Sequence, residues 1–278
     1  MQFYIFIGSI FIVIFLIYIF YNLYLYLSTD FLYKIYKKRK APKKYEDVLL
    51  KYFPFYKVLP PHLKKRLIAC IAVFIKNKEF LGVKGIKVDS TKKIIIAANA
   101  CLLSIGKDRC MYKHVKTVII YPDIFLIDEK IDNGAVIKEE KKAALGLASN
   151  IGVVVISWPE LLKGDLNIKD GKNVGIHEFA HQLDLTDGLP DGTPEMDYKL
   201  YKEWTDIFSK EFKKLKNLYI KHHKSFLDGY AFENEAEFFA VISEYFFEKP
   251  KLLYKKEPLI YEELKKFYRL DPKSWAQS

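Results

Sequence analysis

The stretch "NVGIHEFAHQLDL", 173–185, carries His177 and His181 four residues apart, with Glu178 directly after the first. On a helix, residues i and i+4 share one face a turn apart, so both imidazoles can reach a single ion while Glu178 stands beside them. A carboxylate next to a metal-held water is the arrangement needed to take that water's proton in a hydrolysis. The other face, Ile176, Phe179, Ala180 and Leu183, is apolar enough to bury. Two histidines without partners in such a helix would be costly to desolvate, which favours a zinc site over an ordinary core helix. Asn173 fits as the N-cap and Gly188 as the terminator. Asp184, three residues past His181, is expected to accept a ring N–H behind the metal.

A catalytic zinc keeps three protein ligands and one open position. No HExxHxxGxxH extension follows, so the third ligand comes from elsewhere. The stretch 230–250, "YAFENEAEFFAVISEYFFEKP", offers Glu233, Glu235, Glu237, Glu244 and Glu248. Phe238, Phe239, Val241, Ile242, Tyr245 and Phe246 make that helix apolar nearly all round, so Glu237 and Glu244 are acids in a buried setting that needs a reason. Ligation by one and a supporting hydrogen bond by the other supplies it, and spacing alone does not choose between them. His62, His114, His222 and His223 read as surface or structural residues.

The elements that must position these residues follow from the patterning. Met1 to Thr29 contains no Asp, Glu, Lys or Arg, which exceeds the roughly 20 apolar residues that cross a bilayer as a helix. It lacks the basic n-region and small-residue cleavage site of a signal peptide, so an uncleaved transmembrane anchor over 1–29 is expected. Between Asp30 and Lys51 lie eight basic residues against three acids, nearly half of the chain's net charge of +11. That placement suits lipid headgroups better than DNA and keeps the flank cytoplasmic, with the N-terminus outside and the catalytic domain in the cytosol. Without stacking aromatics interleaved, nucleic acid is excluded as a partner. The three cysteines form no CxxC pair and no disulfide framework.

Residues 30–54 read as a basic juxtamembrane linker and 55–275 as one domain. Leu63, Leu67, Cys70, Ile71 and Phe74 recur at helical spacing after Pro60–Pro61. "KIIIAANACLL", "KTVIIYPDIFLI" and "IGVVVISW" read as strands, and helices are expected over 173–186, 197–220, 234–248 and 259–268. Strands first and helices second indicate a segregated α+β domain.

The stretches "LPPHLKKRL", "VIIYPDIF", "VVVISW", "IHEFAHQLD", "DGYAFENEAEFFAVISEYFF" and "FYRLDP" together resemble the Mlc titration factor A (MtfA) family of zinc-dependent peptidases over about 55–272. That family's zincin-like catalytic fold is similar to the protease domain of anthrax lethal factor. The resemblance implies Zn2+ held by His177, His181 and Glu237, with Glu178 as general base. It also implies a peptide or protein substrate, and Tyr230 as a hydrogen-bond donor to the oxyanion. It places "GVVVISW" as an edge strand for substrate backbone. A different class also follows from it: a binding protein that sequesters a transcriptional regulator at the membrane.

Overall fold

The computed structural model describes the backbone of residues 2–122, 125–131, 138–144, 146–149 and 152–275. Side chains are described for these except 2, 3, 5, 6, 9, 22, 25–28 and the strands between 125 and 149.

Helix α1 runs unbroken over Gln2–Lys38. Of the apolar segment expected to span a membrane, 1–29, residues 2–29 lie in it, and residue 1 and several of the side chains fall outside the described residues. Among the described residues no helix is long and apolar enough to cross a membrane. Residues 30–54, expected as a linker, instead form the end of α1, then α2 (Lys43–Tyr52), with only 39–42 between the two helices. Tyr33 and Leu49 are buried, so this segment belongs to the core. A short α3 (Phe55–Val58) leads into α4 (Pro61–Asn77), which starts on its proline, where a missing N–H costs nothing. Leu63, Leu67, Cys70, Ile71 and Phe74 all point inward from α4.

Strand β1 (Glu79–Gly82) is followed by α5 (Ser90–Leu102). Here the expected strand "KIIIAANACLL" is a helix. Asp89 caps it by accepting the Lys92 N–H at 2.9 Å, and Ile94 to Leu102 are all buried. A helix buried on every side has no apolar stripe, so its isoleucines mimic a strand while its alanines favour the helix. Strands β2 (Thr117–Tyr121), β3 (Phe125–Ile131), β4 (Lys138–Ala144), β5 (Gly146–Ser149) and β6 (Val153–Ser157) come next. Helices α6 (Trp158–Leu166), α7 (Val174–Asp184), α8 (Tyr198–Ile220), α9 (Glu235–Glu248), α10 (Pro250–Lys256) and α11 (Pro258–Tyr268) complete the chain. The class is α+β with a small sheet, but helices α4 and α5 precede most of the strands, so the expected order of strands then helices does not hold.

The main sheet has the order β1-β2-β6-β5, the first three parallel and β5 antiparallel to β6; β3 and β4 pair separately. Strand β6, expected at an edge, is therefore interior, and β5 takes the edge. The continuous run Val153–Ile156 suits a strand with neighbours on both sides. Trp204 on α8 stacks on Phe208 at 3.8 Å and meets Phe239 and Phe267, which locks α8, α9 and α11 into one layer.

Candidate metal centre

Helix α7 is fixed before its chemistry begins. The Asn173 Oδ1 accepts the Ile176 N–H at 3.0 Å, satisfying one of the donors every helix start leaves open. Its buried face is pinned by Phe179, whose ring packs edge-on against Phe74 of α4 at 5.8 Å and Tyr112 at 5.3 Å. With that face held, His177 and His181 are turned towards α9. Helix α9 is capped in the same manner, Asn234 Oδ1 accepting the Glu237 N–H at 2.9 Å, which places Glu237 in its first turn facing the histidines.

Three ligand atoms converge. Glu237 Oε2 lies 3.2 Å from His177 Nε2 and 3.3 Å from His181 Nε2, and the two imidazole nitrogens are 3.2 Å apart. Burial opposes charge on both partners, yet their mutual hydrogen bonds hold the Glu237 carboxyl well below the usual carboxylate range and lift His177 well above its usual value. Two imidazole nitrogens and one carboxylate oxygen within 4.8 Å of one another are a donor set that fits a divalent metal ion.

Glu244 takes the supporting role. Its Oε1 accepts the His177 Nδ1–H at 2.8 Å, so Nε2, the nitrogen that meets Glu237, is the one left to bind a metal ion once its proton is lost. Its other oxygen accepts the backbone N–H of Asn173, the cap of α7. One turn on, Glu248 Oε2 accepts the N–H groups of Gly171 and Lys172 at 2.9 and 3.1 Å. Residues 237, 244 and 248 thus form one stripe of α9 that holds the entry loop, the cap and the ligand face of α7. The spacing of seven and four was visible in the sequence; which acid met which partner was not.

Glu178 is 3 % exposed, and its Oε2 has no hydrogen-bond partner. Burial, opposed by His177 and aided by Glu237 and Glu244, pushes its carboxyl up to about 8. Tyr230 rises from a short turn whose cap, Asp228, accepts the Tyr230 N–H at 3.2 Å; its ring lies 5.9 Å from that of His177. Burial and the nearby Glu237 push the Tyr230 hydroxyl well above its usual value, so it stays protonated.

Asp184 does not back a ligand. Its Oδ2 accepts the Gly192 N–H at 2.8 Å, because the side chain turns to the loop beyond α7 and not along the helix. Gly192 sits at φ +77 with a would-be Cβ 2.4 Å from the Glu235 carbonyl, so only glycine fits there. His62, His222 and His223 are exposed, while His114 is half-buried, its Nε2 3.2 Å from Gln182 Oε1. Asp165 escaped sequence reasoning altogether. It is fully buried and accepts amide hydrogens from Asn99 at 2.8 Å and Asn173 at 3.1 Å, and no spacing pattern announces it.

Residues 30–269 match the family model of the glucose-regulated metallo-peptidase M90. The chain belongs to the M90 metallopeptidase family. The M90 match takes in His177, Glu178, His181, Tyr230 and Glu237. The protein is 32 % identical over 238 residues to the uncharacterised protein slr2042 of Synechocystis, covering 84 % of this chain and 86 % of that one. Mlc titration factor A of Salmonella arizonae is 29 % identical over 213 residues, 74 % of this chain and 83 % of its own. The Salmonella agona protein of the same name is 30 % identical over the same length, covering 74 % and 79 %.

Proposed function

We propose that this M90 family member is a zinc-dependent peptidase held at a membrane by the N-terminal part of α1. The observation that carries the catalytic half is Glu178, a buried carboxylate with one unpartnered oxygen beside three converging ligands. Zinc on His177, His181 and Glu237 would supply a Lewis acid that polarises the scissile carbonyl and brings the pKa of water towards neutrality. The positive charge of a bound metal would favour the ionised form of Glu178, which would accept the proton of water and return it to the leaving amine. Tyr230, kept protonated, donates to the oxygen on which negative charge develops. Glu244 keeps the proton of His177 on Nδ1 and fixes the ring's direction.

Metal content and peptide cleavage, measured on wild type, Glu237→Ala and Glu178→Gln, test this reading. Wild type is expected to hold about one zinc per chain and Glu237→Ala to lose it. Glu178→Gln should keep the metal but lose about 100-fold or more in rate. A folded wild type without divalent metal, or a Glu178→Gln variant of full activity, would sink the peptidase.

Two features support the anchor. Residues 1–29 carry no formal side-chain charge, and each of Ile10 to Tyr21 is at least 42 % exposed on α1. Seven Lys and Arg between Phe31 and Lys44 favour an outward N-terminus and a cytoplasmic domain. Carbonate extraction and protease accessibility of the full chain check it: release by carbonate removes the anchor, and a protected domain reverses the orientation.

A second reading rests on the name of the Salmonella relatives, which speaks of titrating Mlc. In that reading the chain captures a regulatory protein. Capture that persists in Glu178→Gln would make binding an activity of its own.

A further inference from the structure

Helix α1 is built into the domain it would anchor. Thr29 Oγ1 accepts the Asn77 side-chain amide at 3.4 Å, and Asp30 pairs with Lys113 at 3.9 Å. One turn on, the buried Tyr33 donates its hydroxyl to Asp108 Oδ1 at 2.7 Å, and a further turn on Lys37 reaches the same carboxylate at 2.7 Å. Arg66, on α4, meets Asp108 Oδ1 as well, at 3.1 Å. Asn77 at the end of α4 therefore stands beside Thr29, and Arg66 lies towards Lys37. The two helices run antiparallel, and the C-terminal end of α4 is the end where α1 leaves the domain.

Helix α7, which carries His177 and His181, meets α4 at that same end. Phe74, three residues before Asn77, is about 5 Å further along α4 at 1.5 Å per residue. It packs against Phe179, which sits between Glu178 and His181. A second route agrees. Lys113, paired with Asp30, precedes His114, whose ring meets Gln182, the neighbour of His181. Lys34, Lys76 and Lys116 are exposed near this level, where anionic headgroups would meet them.

We infer that the metal centre is held on the side of the domain where α1 leaves it, facing the bilayer surface, and acts on juxtamembrane segments of membrane-bound proteins. This rests on the anchored-peptidase reading. Because α1 enters the domain without a break and is tied by Tyr33, Lys37 and Thr29, the domain does not swing on a flexible tether.

The test uses the full chain in lipid nanodiscs and a fluorogenic peptide offered in three forms. One is free. One is coupled to a lipid through about three flexible residues, and one through a rigid helical spacer of about 40 residues, which holds it about 60 Å away. The near substrate is expected to be cleaved about tenfold faster than the far one at equal surface density. A flexible Gly/Ser insert of about 20 residues after residue 28 should erase that difference while leaving cleavage of the free peptide unchanged. Equal near and far rates in wild type, with the free peptide cleaved and the protein bound to the disc, overturn the inference alone. A chain that does not stay with the disc overturns the anchor, and a chain that cleaves none of the three peptides overturns the peptidase; either takes this inference down with it.

Discussion

Glu244 joins two functions in one side chain: it fixes the proton of His177 and closes the start of α7. Substituting Gln keeps the shape but sets an amide NH2 against either the ring N–H or the Asn173 N–H. Metal affinity in Glu244→Gln is expected to fall about 10- to 100-fold, measured by competition with a chelator; unchanged affinity would remove Glu244 from the centre. The pair His177 and His181 was legible in the sequence because four residues on a helix are a geometric statement. Spacing alone did not separate Glu237 from Glu244, since seven residues return to the same face and only the position of α9 along α7 decides which one reaches Nε2; the family resemblance was what pointed to Glu237. Asp165 makes a second prediction. Burial pushes its carboxyl up to about 8, against the lowering effect of the Asn99 and Asn173 amides. Its folded value lies above the unfolded value near 3.9, so the folded state binds more protons between about pH 4 and 8, and stability falls as pH rises through that window. Asp165→Asn removes this loss. The variant should gain on wild type between pH 5 and pH 8 in urea denaturation; a constant difference across those pH values would show that Asp165 stays ionised in the folded chain.

At the scale of the element, the site depends on where two helices begin. Asn173 and Asn234 each cap a helix whose next turn carries a ligand, so cap and chemistry are three to four residues apart. Asn173→Ala removes the cap of α7 and one partner of Asp165, and about 1–2 kcal/mol of unfolding free energy should go with it. Denaturant midpoints of wild type and variant measure the loss; a midpoint unchanged within error would show that Glu244 alone secures the start of α7. The Asn173 cap was readable, because Asn before an apolar periodic run is a local signal; the Asn234 cap emerged only with the structure. Helix α5 was not, since burial on all sides erases the stripe that distinguishes a helix from a strand. The edge of the sheet was not readable either. The run Val153–Ile156 announces a strand, but only the pairing partners show that β6 lies inside and that β5 covers it.

For the whole molecule, the packed domain takes in the end of α1 and all of α2, residues expected from the sequence to be a linker. Charge marked 30–54 as solvated chain, because lysines dominate its composition; the inward set Tyr33, Leu49 and Phe53 is sparse enough to be hidden among them. The consequence can be measured by truncation in detergent. Removing residues 1–28 takes away Ile10 to Tyr21, Leu23 and Tyr24, all exposed, so thermal stability should be unchanged. Removing residues 1–38 deletes Tyr33, which is 4 % exposed, and leaves Asp108 without its buried donor. Burying one aromatic side chain stabilises by about 2 kcal/mol. For a domain of this size that corresponds to a Tm lower by roughly 4–8 °C. The M90 match begins at residue 30, in agreement with a domain that includes the end of α1. If both truncations melt with wild type, α1 is a tether that happens to lie on α4, and the fixed height of the metal centre above the bilayer goes with it.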